Sequence, residues 1–274
     1  MNPAFWRKAV SDAWMQLVAS AVLLMAFGWL FVWLMSFFEV GFLKLLVKMM
    51  PDIFKSMMEI DPALLLTRVG QLSILFTHPI VVLVAVGWAL GRGSDSVSGE
   101  IGRGTMDLVA SLPVRRATVI LVPAAVATIG AALLPAAVAL GIWLGTLTVA
   151  LDEEVLLRRF VPGAVNLFCM TFCLTGITTA VSSMNRDRWR TIVISGGIYL
   201  VEVLIEVVRN AWPGGDWLKF FTFLSVFQPQ SLILETDKAG LPDLTYNGTL
   251  IAIGVAAYAV AVVALTCRDI PAAK

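Results

Sequence analysis

Ala117–Val149, ATVILVPAAVATIGAALLPAAVALGIWLGTLTV, holds no charged side chain in 33 residues. A helix of that length reaches about 50 Å at 1.5 Å per residue, against about 30 Å of bilayer hydrocarbon, so it crosses once and not twice. Pro123 and Pro135 each remove a hydrogen bond within it and mark the expected kinks. Working outward, five further stretches are long and apolar enough to span: Leu17–Phe38, Gln71–Leu90, Phe160–Met184, Thr191–Val208 and Thr249–Cys267. The expectation is an all-α integral membrane protein, with residues 1–274 forming a single transmembrane domain of six helices.

Composition points the same way. Apolar residues make up 59% of the 274 and charged residues 14%, with a mean hydropathy of +0.87. Soluble domains average about 45–50% and about 25%. Disorder, collagen and a disulfide-stapled secreted scaffold are excluded by these figures. Six spans of about 20 residues use about 120 and leave no room for a substantial water-soluble domain. A net charge of +1 gives no bulk attraction to nucleic acid. Cys169, Cys173 and Cys267 all lie in apolar stretches and read as small packing residues. With His78 the only histidine, a metal site has no support.

Basic residues give the orientation. Arg7 and Lys8 precede the first span, and Arg186, Arg188 and Arg190 crowd the short loop Asn185–Arg190. Arg92, Arg103, Arg115, Arg116, Arg268 and Lys274 fall on the same side, so both termini are expected in the cytoplasm of a multi-pass plasma (inner) membrane protein. The run Leu17–Phe38 is too long for a signal peptide, and no small-x-small cleavage site follows it, so it is expected to remain as an anchor.

Three segments outside the spans have helical character. Phe5, Ala9, Trp14 and Val18 share one side of an N-terminal helix expected to lie along the inner leaflet. In Glu39–Glu59, Lys44, Lys48, Asp52, Lys55 and Glu59 recur opposite Phe42, Leu45, Leu46, Met49, Ile53 and Met57. That segment is either an interfacial helix or one packed on the outer ends of the spans. Trp217–Phe227, WLKFFTFLSVF, is too short to cross and reads as an extracytoplasmic interfacial or re-entrant helix ending before Pro229.

No G-x-x-x-x-G-K-[ST] loop and no G-x-S-x-G elbow occurs, so neither nucleotide hydrolysis nor nucleophilic catalysis is expected of the chain itself. His78, before Pro79, reads as a polar residue at a proline kink. The informative segment is Gly91–Val122, GRGSDSVSGEIGRGTMDLVASLPVRRATVILV, between the second and third spans. Thr105 can cap a short helix ending at Pro113. Asp107 lies near that helix's positive end, and Leu108 and Leu112 share a face. An ordinary positive-inside loop would explain the arginines but not the apolar stripe.

The run Ser98-Gly-Glu100-x-x-x-Gly104-Thr105-x-Asp107-Leu108-x-x-Ser111-Leu112-Pro113-Val114-x-Arg116, at that place in a six-span chain, resembles the loop of the type-2 ABC exporter permeases. The N-terminal amphipathic helix and the hydrophobic piece between the fifth and sixth spans resemble that family's layout, while Glu39–Arg68 is longer than its minimal form requires. The resemblance implies that this loop is a cytoplasmic coupling helix docking in a separate ATP-binding-cassette ATPase subunit. It also implies two permease chains and two ATPase copies in the working exporter, with ATP and Mg on the partner and no cofactor on this chain. Glu100, Arg103, Asp107, Arg115 and Arg116 are the expected partner contacts, Thr105 the cap, Leu108 and Leu112 the buried anchor, and Pro113 the stop.

Glu202 and Glu206 stand four residues apart on the fifth span, where a carboxylate is costly. Either they line a translocation path for a cationic or polar substrate, or the span ends early, leaving Glu206 and Arg209 at the headgroups and Glu202 hydrogen-bonded to a neighbouring helix. Asn166, Thr171, Thr175, Thr178 and Thr179 make the fourth span polar on one part of its surface, as path or as helix packing. Two other functions compete with the exporter: a non-transporting membrane anchor or sensor that recruits a cytosolic ATPase, and an intramembrane enzyme, for which one histidine and two glutamates are thin support.

Overall fold

A computed structural model describes residues 3–37, 49, 64–106, 115–151, 155–234 and 241–267. Six long apolar helical stretches are present: α1 (Pro3–Ser36), Arg68–Gly102 with α2 (Pro79–Ser94) as its central helix, α3 (Arg116–Thr148), α4 (Val161–Met184), α5 (Arg188–Ala211) and α6 (Leu241–Cys267). No strand occurs among the described residues. The chain is a multi-pass, all-α membrane protein by the length and hydropathy of these helices.

The elements differ from the sequence expectation in several places, α6 for one beginning at Leu241 rather than Thr249. The N-terminal segment is not a separate interfacial helix, because nothing between Pro3 and Leu17 breaks the backbone ladder and α1 runs unbroken for 34 residues. Phe5 and Ala13 are buried against the bundle. The second span reaches Gly102 rather than Leu90, since α2 continues into a π-helical turn (Asp95–Gly99) and one more helical turn (Glu100–Gly102). Its glycines serve close packing here: a Cβ on Gly93 would lie 2.5 Å from Thr178 Cβ on α4. Trp217–Phe227 divides into two 3-10 turns, Gly215–Phe221 and Phe223–Val226, parted at the extended Thr222, and a short helix Pro229–Leu234 follows. The first turn leaves Phe220 80% exposed, whereas Phe223 and Leu224 in the second are buried. The amphipathic segment Glu39–Glu59 lies outside the described residues apart from Met49, and so do Asp107, Leu108, Leu112 and Pro113.

Helix starts follow local chemistry. His78 Nδ1 accepts from the Ile80 amide at 3.3 Å, and Pro79 takes the first helical position, where its missing N–H costs nothing. The same ring packs on Phe27, centroid to centroid 4.8 Å, so His78 both caps α2 and joins it to α1. Asp187 caps α5 by accepting from the Trp189 amide at 3.1 Å. Pro123 and Pro135 both lie inside α3, which continues through them as one element.

In lipid, helices gain little by hiding apolar surface from one another, so close backbone approach drives their packing. A Cβ on Gly141 of α3 would stand 2.4 Å from Met25 O of α1. Trp88, fully buried on α2, lies over Gly130 of α3 and donates its indole N–H to Ala127 O at 3.0 Å. Thr171, Thr175, Thr178 and Thr179 are buried, each donating to the carbonyl four residues back on α4. Their polarity is spent on their own helix, which favours packing over a polar path.

Candidate functional site

Two regions gather charged groups. The first is at the bundle end where α1 and α3 begin and α2 finishes. Gly104, at φ +69°, ends the second span: the Thr105 amide donates to Glu100 O and the Gly104 amide to Ile101 O, both at 3.0 Å. A left-handed residue closes helices in this manner, and glycine adopts that conformation without steric cost. The turn folds Thr105 back, so that its hydroxyl donates to Glu100 Oε2 at 2.6 Å.

Glu100 is 6% exposed. Besides Thr105 it accepts from Lys8 Nζ of α1 at 2.5 Å and from Arg103 at 2.7 Å. Arg103 also reaches Asp95 at 2.5 Å, while Arg188 of α5 stands 3.6 Å and Arg92 3.7 Å from the same carboxylate. Partial burial opposes the Arg103 charge, but hydrogen bonds to Asp95 and Glu100 outweigh it and hold its pKa above the ordinary guanidinium value. Arg92 in turn donates to Gln16 Oε1 and Asp12 O on α1. One carboxylate therefore binds α1 to the end of α2, and the other binds the end of α2 to the start of α5.

Beneath this cluster the π-helical turn meets a knot of hydroxyls. Ser182 Oγ of α4 accepts from the Ser98 amide at 2.9 Å and the Val97 amide at 3.3 Å, and donates to Ser94 O at 3.1 Å. Thr191 of α5 donates to Ser98 Oγ at 2.9 Å. A π-turn is rare and misaligns backbone groups, and here Ser182 of α4 satisfies them while Thr191 of α5 binds the Ser98 hydroxyl.

Of the sequence-derived coupling residues, the structure brings Glu100, Arg103 and Thr105 together. Arg115 and Arg116 are exposed at the start of α3, and Arg116 donates to Thr266 O at 3.3 Å. Lys8, Asp95 and Ser182 were missing from that set. Lys8 and Ser182 lie far from the loop along the chain, 92 residues in the case of Lys8 and Glu100, which leaves no pattern by which to find them, whereas Asp95 lies within the segment and takes its role from Arg103 and Arg188.

The second region is a cavity of about 850 Å³ between α4, α5, α6 and the two 3-10 turns. Glu202 lines it and accepts the Phe223 amide at 2.9 Å. Glu206 is engaged with Arg209 at 2.5 Å. Arg209, Asp216, Lys219, Gln228 and Tyr246, with the hydroxyls of Thr222, Ser225 and Thr249, complete the polar lining, none of which the sequence reading assigned to a site. Near this end, buried Asn166 donates to Val226 O and to Asn247 Oδ1, fixing the second 3-10 turn between α4 and α6. Cys169 and Cys173 are buried free thiols, and no group of three potential metal ligands occurs among the described residues.

No family model and no curated protein matches the chain.

Proposed function

We propose that this chain is the membrane-spanning permease subunit of an ATP-driven exporter of the ABC class, working with a separate ATPase subunit that holds ATP and Mg. The observation that carries the reading is Glu100: a buried carboxylate, tied to α1 through Lys8, at the last turn before the connection from the second to the third span. In this reading the bundle end bearing Arg7, Arg115, Arg116, Arg186 and Arg190 faces the cytoplasm, as the positive-inside rule favours. Leu108 and Leu112 enter the ATPase cleft, and Asp107, Arg115 and Arg116 contact its rim. Glu100, Arg103 and Thr105 are positioning residues, since their charges and hydroxyl are committed within the chain.

Coupling is mechanical. ATP-driven closure of two ATPase copies moves the docked loop, and Glu100 and Asp95 pass the displacement to α1 and α5. Moving a paired permease from 1:99 to 99:1 outward-open requires about 5.5 kcal/mol of differential binding. The cavity beside α5 supports transport over mere recruitment of an ATPase.

The test is co-purification with ATP-binding-cassette subunits encoded beside the gene. Leu108→Asp is expected to abolish assembly, and Glu100→Arg to weaken it and remove stimulated ATP hydrolysis. Unchanged assembly and hydrolysis in both variants would refute the docking role.

A further inference from the structure

We propose that the cavity between α4, α5 and α6 binds a lipophilic cation, with Glu202 as the charge that selects it. This rests on the exporter reading for its purpose but not for its chemistry. The cavity has the volume of a small-molecule site, typically about 300–1,000 Å³. Its walls change character along α5. Ile198 opposes Ile177 and Ile253 at the apolar end, and Arg209 stands among polar groups at the other, about 16 Å further along the helix. Glu202 lies one turn from Ile198, between the apolar end and the 3-10 turns, where its carboxylate accepts the Phe223 amide.

The charges around it are already matched, and Glu202 is not. Arg209 is held by Glu206 at 2.5 Å, and Lys219 is 3.8 Å from Asp216. Among the described residues no lysine, arginine or histidine pairs with Glu202, which accepts a hydrogen bond from the Phe223 amide. A half-buried carboxylate with one neutral donor in membrane-embedded surroundings retains a large attraction for a cation that brings its own apolar shell. Phe221 and Tyr246 line the same space and supply aromatic surface within reach of such a charge. An anionic amphiphile would meet Glu202 with like charge, and a strongly hydrated inorganic cation would find a single carboxylate with no further ligands assembled for it.

The probe is tetraphenylphosphonium, with tetraphenylborate as its charge-inverted isostere. Equilibrium dialysis uses the full chain in zwitterionic lipid nanodiscs, with the uptake of empty nanodiscs subtracted. Saturable phosphonium binding is expected, with no saturable borate binding. Glu202→Gln keeps an oxygen to accept the Phe223 amide while removing the charge, and should weaken phosphonium binding at least tenfold. Ile253→Trp, which fills the apolar half and leaves the carboxylate, should do the same, whereas Arg186→Gln, exposed at the opposite end of the bundle, should change affinity less than threefold. Unchanged affinity in Glu202→Gln, unchanged affinity in Ile253→Trp, or borate bound as tightly as phosphonium would each overturn the inference. No ATPase subunit is present, so loss of this binding with intact ATPase assembly removes the cation site alone, and cation binding without assembly removes the exporter reading alone.

Discussion

Replacing Glu100 by Gln removes one charge and keeps the side-chain shape, and the structure sets the size of the effect. At about 3 Å and an effective permittivity of about 20, the attraction between Lys8 and Glu100 is about 5–6 kcal/mol before any cost is counted. Desolvation of a carboxylate whose side chain is 8% exposed, and the ordering of two long cationic side chains, cancel most of it. Lys8 and Arg103 retain 39% and 42% side-chain exposure, so both rehydrate once released. What remains is about 2 kcal/mol for the loss of charged acceptance from Lys8 and Arg103, within the usual range for hydrogen bonds to charged groups. For a chain of this size that lowers the unfolding midpoint by about 4–8 °C. The assay is thermal unfolding in nanodiscs, followed by tryptophan fluorescence, for Glu100→Gln, Lys8→Met and the double variant. The double variant should lie above the sum of the single effects by about 1 kcal/mol, the coupling of the pair. Strict additivity, or an unshifted midpoint in Glu100→Gln, would show that the carboxylate does not tie α1 to α2.

Other perturbations address separate features. Ser182→Ala should cost about 1–3 kcal/mol and speed hydrogen exchange at Val97 and Ser98, whose amides it accepts. Gly141→Leu should abolish monodisperse protein in size-exclusion chromatography, because the added Cβ meets Met25 O at 2.4 Å. Gly87→Ala, with nothing within 4 Å of the new atom, should leave the profile unchanged or raise stability by up to about 1 kcal/mol. Thr175→Val on α4 should change the unfolding midpoint by no more than about 2 °C, since its hydroxyl bonds only to Thr171 O; a large loss would restore the polar-path reading of that helix.

The spans were legible because apolar runs of this length have few other uses. α3 matches its expected bounds within a residue at each end, prolines included. The end of α2 was not legible. Gly91 and Gly93 look like loop punctuation in isolation, and only the neighbouring side chains of Gln16 and Thr178 explain them as contact points in a helix. Trp217–Phe227 misled for a related reason: its uniform apolarity conceals that one half is exposed and the other packed, a difference created by Glu202 and Asn166 from other helices. Glu100 was visible as a motif residue, while its burial and its union with Lys8 depended on contacts across the bundle.

The π-helical turn at Asp95–Gly99 has a geometrical effect on everything after it. It spends one more residue than an α-turn, and one residue of α-helix corresponds to about 100° of rotation. Glu100 meets Lys8 only because that additional residue has already turned its side chain toward α1. Relaxing this turn to α with its residues kept would swing the carboxylate about a quarter of the way around its axis, whereas deleting one residue along with the bulge would leave its direction nearly unchanged. The width of one helical turn thus sets the compass bearing of the connection that follows.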